Sequence, residues 1–117
     1  MIHAKRVYDP PAPDDGARVL VDRLWPRGLT KEDAHIDWWA RDLAPSDKLR
    51  RWFGHSPPRY REFVERYRQE LVENGSAGRL RELAAKQNVT IVYADRDDRH
   101  NNARALLEIL GLAHPQA

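Results

Sequence analysis

The chain contains no cysteine. That absence excludes disulfide staples, thiolate nucleophiles and Cys-ligated zinc, so a metal would need His and carboxylate ligands. Long apolar runs are missing too. Nothing approaches the roughly 18 residues of a membrane helix, and the opening stretch MIHAKRVYDP lacks the apolar centre of a secretory signal. The expectation is a cytoplasmic protein with no membrane partner. The five histidines are scattered, without an i, i+4 pair or an HExxH pattern, so no metal site is expected. Neither a P-loop nor a GxGxxG fingerprint is present, so no cofactor is indicated. No internal repeat, low-complexity tract or interdomain linker divides the chain.

What is there fits one domain over residues 1–117, long enough to bury a single core. The net charge of +2 is unevenly spread. Residues 46–69 carry seven Lys/Arg against three Asp/Glu, or +4, which leaves −2 for the rest.

Ala4 to Tyr8 and Arg18 to Leu24 read as strands joined by the turn-rich loop DPPAPDDG. That loop is short for a helical crossover, so an antiparallel connection is expected. Val19-Leu20-Val21 is continuously apolar, as in a strand covered on both faces. A helix is expected from the cap Thr30, with Ile36, Trp39, Ala40 and Leu43 at i, i+3, i+4 and i+7. A second helix starts at Ser46 and stops at Gly54. The longest follows Ser56-Pro57-Pro58, with Tyr60, Phe63, Val64, Tyr67 and Leu71 as its apolar stripe and Gly75 and Gly78 as breakers. A helix over residues 77–86 leads into the β-branched strand Val89 to Ala94 and the loop from Asp95 to His100. The last helix buries Ala103, Leu106, Leu107 and Leu110 and stops at Gly111. The fold class is α/β: a single small domain whose mixed sheet of about three strands has a parallel central pair, packed by several helices.

Both apolar strands end in polar clusters, DRLWPRG and ADRDDRHN. Ligands of open α/β sheets bind outside the carboxyl ends of parallel strands. The expected site therefore gathers Asp22, Arg23, Trp25, Arg27 and Gly28 with Tyr93, Asp95, Arg96, Asp97, His100 and Asn101. Arg23, Arg27 and Arg96 form an anion site if no carboxylate neutralises them, and their planar forks match phosphate or carboxylate. An ion-paired strand end is the competing reading. Trp25-Pro26 is read first as packing, with stacking on a base or sugar as the alternative. Asp97 or Asp98 is read either as a cap for the last helix or, with Asp95 and His100, as an acid/base group. His55 is read as a helix C-cap contact ahead of catalysis.

The stretches KRVYDP, DDGARVLVDRLWPRGLTKEDA, LAPSDKLRRWFGH, FVERYRQEL, VTIVYADRD and HNNA resemble the YeaO-like family, small bacterial proteins carrying a domain of unknown function. The likeness covers almost the whole chain and carries no established reaction. Other branches of the wider superfamily have cysteine motifs that this chain lacks, so thiol chemistry does not transfer. Many relatives read HNHA where this chain has His100-Asn101-Asn102-Ala103, so a role for a second histidine at 102 does not transfer either.

The leading expectation is a pocket for a small anionic ligand, a nucleotide or another phosphorylated metabolite. In its enzymatic version Asp95, Asp97 and His100 transfer protons for hydrolysis or group transfer, and phosphoryl, glycosyl and acyl chemistry are served alike. Two alternatives stand beside it. One is a nucleic-acid-binding module using the arginines and aromatics of residues 46–69, against which a salt-bridged solvated face is weighed. The other is a noncatalytic ligand sensor or protein-interaction domain.

Overall fold

A computed structural model describes residues 2–111. Four strands, β1 (Ile2–Arg6), β2 (Ala17–Leu20), β3 (Trp38–Trp39) and β4 (Val89–Tyr93), form one sheet in the order β1-β4-β2-β3. Every pairing is parallel. The expected mixed sheet of about three strands is thus a wholly parallel sheet of four. The antiparallel connection from β1 to β2 gives way because β4 inserts between them and runs parallel to both. The stretch 7–16 needs no helix to return to the other end of the sheet, since ten extended residues reach over about 30 Å. It bends there through a 3-10 turn at Pro13–Asp15 and through Gly16. Gly16 has φ +67, and a Cβ on it would lie 2.1 Å from the Asn88 carbonyl oxygen, so only glycine fits.

The continuous apolar runs of β2 and β4 are buried throughout, as both-face coverage requires. Their pleat sorts side chains in two directions. Val19, Val21, Val89, Ile91 and Tyr93 join the main core with the long helices. Leu20 and Val92 face a smaller cluster with Val7, Ala34, Trp25, Leu29, Ile36 and Trp39. The main face is covered by α2 (Asp47–Phe53), α3 (Tyr60–Asn74), α4 (Ala77–Lys86) and α5 (Asn102–Ile109). The stripe Tyr60, Phe63, Val64, Tyr67 and Leu71 of α3 is fully buried. Each such side chain contributes about 1.5–3 kcal/mol relative to leaving it exposed. Gly75 ends α3 in the left-handed region, whereas Gly78 lies inside α4 rather than breaking a helix.

The other face is covered by α1 (Lys31–Ala34) and the loop before it. Thr30 caps α1 by accepting from Asp33 N, as expected, but the helix does not continue through Leu43. His35 turns left-handed at φ 52 and ψ 48, which ends the helix. Arg18 N then donates to Asp37 Oδ2, and Ala40 N donates to Leu20 O, drawing residues 37–40 onto the edge of β2. Trp38 and Trp39 consequently point to opposite faces, and a helical spacing is realised as a strand followed by a 3-10 turn at Arg41–Leu43. No helix among the described residues is long and apolar enough to cross a membrane.

Candidate functional site

The parallel register brings Leu20 beside Val92, and the ladder continues through Val21 N to Val92 O. One residue further on, Ala94 N donates to Asp22 Oδ2 at 2.9 Å. The two polar clusters therefore meet at the carboxyl edge of the sheet. Between them opens a cleft of about 570 Å³. Asp22, Arg23, Trp25, Arg27, Asp95 and Arg96 line it, six of the eleven side chains expected there.

The cations of the cleft keep their charge. Among the described residues, Arg23, Arg27 and Arg96 have no carboxylate within ion-pair distance. Arg23 is steadied only by a hydrogen bond from Nε to the Pro45 carbonyl at 3.2 Å. Arg27 is anchored through its backbone, where Tyr8 donates to its carbonyl at 2.8 Å, so its guanidinium projects freely. Trp25 packs as first expected. Its indole N–H donates to Leu29 O at 2.7 Å and its ring packs edge-on to Trp39, while it also lines the cleft.

Asp22 is the buried acid of the site. Burial pushes its carboxyl above the ordinary aspartate range and the nearby Asp95 carboxylate adds to this, against hydrogen bonds from the Asn102 amide and Ala94 N–H. Asn102, at the start of α5, ties that helix to the end of β2 by donating to Val21 O at 2.8 Å and to Asp22 Oδ1 at 3.0 Å. The position lacking a second histidine is thus a clamp on the buried acid.

The remaining expected side chains lie elsewhere. Gly28 takes φ +81 with open space around it, and its role is to turn the chain. Tyr93 is buried on the core side, with its hydroxyl pKa raised by burial and by Asp98. Asp97 receives the backbone N–H groups of Arg99 and His100 and the His100 ring at 3.0 Å, and these contacts lower its pKa, the Arg99 contact most. Asn101, not an aspartate, caps α5 by accepting from Arg104 N at 2.8 Å. His100 stands edge-on to Tyr60 in a separate groove of about 520 Å³ with Arg61 and Glu108. Neither Asp97 nor His100 lines the cleft that Asp95 enters, although the Asp97 backbone N–H donates to Asp95 Oδ1 at 2.9 Å.

Ten other residues also line the cleft, and four of them bear on what it can hold. Tyr8 and Leu24 are 39% and 62% exposed, two of the three exposed large hydrophobic side chains among the described residues, and both flank the cleft. Arg50 reaches it from α2. His55 is the fourth. The helix is closed by Gly54 rather than His55, which takes φ 55 and turns its ring so that Nδ1 lies 3.0 Å from Asp95 Oδ2. Only the adjacent Gly54 hinted that the chain could bend sharply there.

The basic stretch 46–69 presents a different surface. Arg50 and Arg51 pair with Asp47, Arg61 with Glu108, Arg66 with Glu62 and Arg68 with Glu65. Lys48 and Arg59 are the two of its seven cations without such a partner among the described residues, and Arg59 and Arg66 both cover the Trp52 ring. Among the described residues no three His or carboxylate side chains are grouped to hold a metal ion.

A family model described as the inactive DUF488-N3 subclade matches residues 1–116. The chain belongs to that subclade. Its relatives include the uncharacterized protein YeaO of Escherichia coli K12, 42% identical over 110 residues that span 93% of this chain and 96% of that one. An uncharacterized protein of Mycobacterium tuberculosis H37Rv is 42% identical over 109 residues, 93% of this chain and 92% of its own. Membership in the YeaO-like group of the DUF488-N3 proteins agrees with the stretches that first suggested it. No solved structure matches this DUF488-N3 chain.

Proposed function

We propose that the strand-end cleft binds an anionic small molecule, a nucleotide or another phosphorylated metabolite of the cytoplasm, and that the protein acts by holding this ligand rather than transforming it. One observation carries the reading: Arg23, Arg27 and Arg96 line a cleft of about 570 Å³ and have no carboxylate partner among the described residues. Guanidinium groups left unpaired beside a concave surface gain most from a phosphate, which accepts two parallel hydrogen bonds from each fork. Tyr8, Leu24 and Trp25 supply an apolar flank for a planar body attached to that phosphate.

Holding is favoured over turnover for two reasons. Asp97 and His100, which an acid/base mechanism would recruit, are spent on each other and on backbone amides outside the cleft. The subclade is also described as inactive. The nucleic-acid alternative draws less support, because five of the seven cations in the basic stretch are already paired.

Mass spectrometry of the purified protein for copurifying metabolites, followed by calorimetric titration with nucleoside mono-, di- and triphosphates and inorganic phosphate, tests the proposal. Saturable binding that weakens roughly ten- to a hundredfold in Arg27→Lys is expected. Absence of binding across that panel, with nothing copurifying, overturns it.

A further inference from the structure

We infer that His55 is the residue through which the cleft reads its ligand, and that the ligand enters together with one proton shared between His55 Nε2 and a phosphate monoester. This rests on the anion-binding reading of the cleft and specifies its chemistry.

The argument starts from the backbone. Gly54 and His55 both have φ +55, a conformation that non-glycine residues adopt uncommonly, and it swings the ring of His55 away from α2. The side chain is 71% exposed and lines the cleft, while its partner Asp95 is only 16% exposed. The contact between them is 3.0 Å from Nδ1 to Oδ2, and the other oxygen of Asp95 receives the N–H of Asp97 at 2.9 Å. Asp95 is thus fixed from below and accepts on both oxygens. Nδ1 must therefore carry the hydrogen, and in the neutral ring that leaves Nε2 as a bare lone pair. Nε2 has no hydrogen-bond partner among the described residues.

In a cleft that Arg23, Arg27 and Arg96 also line, a lone pair on Nε2 repels an anion drawn there by the guanidinium groups unless a proton lies between nitrogen and anion. Two routes place it there. An imidazolium donates from Nε2 to a phosphate dianion, or a neutral ring accepts from the P–OH of a hydrogen phosphate monoanion. Both give the same complex, with one proton on the line between nitrogen and oxygen. A phosphate monoester, whose second ionisation lies near pH 6, supports both routes. A diester has no P–OH and carries only one negative charge, so it can only accept from an imidazolium and cannot form the same complex. The charged groups around the ring are Asp95 and Arg96 from the loop after β4, Asp22, Arg23 and Arg27 from the loop after β2, and Arg50 from α2.

The test uses a nucleoside 5′-monophosphate as monoester, its 3′,5′-cyclic form as diester and the intact chain. Calorimetry near pH 7, in phosphate-free buffers of different ionisation enthalpy, counts protons taken up on binding. Nitrogen-detected NMR of the histidine ring reports the tautomer without any ligand. His55→Asn is the comparison variant, because asparagine tolerates positive φ. The expected results are an Nδ1–H tautomer in the free protein and more proton uptake by wild type than by His55→Asn with the same monoester. The monoester should also lose about tenfold in affinity in the variant, with a smaller loss for the cyclic form. An Nε2–H tautomer, or equal proton uptake by both proteins, overturns this inference while the anion cleft stands. Failure of every anion to bind overturns both.

Discussion

The two ends of the sheet use the same residue types for opposite purposes. At the amino end of β2, Arg18 is 3% exposed and wholly committed: NH1 meets Asp15 Oδ2 at 2.8 Å, and Nε and NH2 donate to the Ala34 carbonyl. Asp15 is closed off as well, since Lys5 and the Ala12 N–H also reach it. At the carboxyl end, Arg23 and Arg27 in the loop after β2 and Arg96 in the loop after β4 meet no carboxylate among the described residues. A buried pair of charges is tolerated only when hydrogen bonds satisfy every remaining donor and acceptor. The amino end meets that demand and is structural; the carboxyl end leaves it open to solvent, where a ligand can answer it.

The largest expected effect breaks the amino-end clamp. Arg18→Met should destabilise the fold by about 3–5 kcal/mol, because Asp15 is left buried with less compensation. Chemical denaturation measures this, and a loss under about 1 kcal/mol would make the clamp no more than a surface pair. Gly16→Ala should also destabilise severely, because its Cβ would meet the Asn88 backbone; Gly28→Ala, with open space around it, should lose only the left-handed preference, about 1–2 kcal/mol.

At the other end the signature reverses. Arg27→Lys should shift the melting temperature by no more than about 4 °C, since an exposed cation contributes about 0–1 kcal/mol to stability. The same change should weaken ligand binding by about 1.5–3 kcal/mol. A variant that melts early yet binds normally would make Arg27 a clamp like Arg18.

The smallest effect is in the titration of two aspartates. Burial alone would raise the Asp15 carboxyl, but the Ala12 N–H, Arg18 and Lys5 outweigh it and hold its pKa below the ordinary value of 3.8. Its contribution is present above the unfolded pKa and is lost as pH falls through the lower folded value. Asp22 has the opposite sign. Its folded pKa is raised, so its ionisation disfavours the fold above that value, and acidification through it relieves the penalty. Carboxyl-carbon NMR titration should find Asp15 below and Asp22 above 3.8. Two midpoints on the same side would erase the contrast.

Much of the site was legible before any coordinates. Placing the ends of β2 and β4 together follows from two apolar runs that each finish in charged residues, and six expected side chains do line one cleft. The sequence favours a helix C-cap contact for His55 instead, because its partner Asp95 is 40 residues away and its approach depends on two consecutive left-handed residues. Asp97, His100 and Asn101 were placed in the site because sequence position cannot tell a loop's inner side chains from those that stitch the start of a helix.

By itself the sequence determined what short-range physics controls. Thr30 and Ser46 cap their helices, the stripe of α3 is buried, and the apolar run Val19-Leu20-Val21 demands cover on both faces. Tertiary structure alone decided that β4 lies between β1 and β2, that residues 37–40 join the sheet rather than extend a helix, and which arginines are neutralised. Periodicity and capping act over a few residues, whereas strand order and ion pairing depend on partners far apart in the chain. The entropy of closing the loops between those partners changes only slowly with length, so it does not select one arrangement. The selection comes from packing and from whether each buried charge finds its partner.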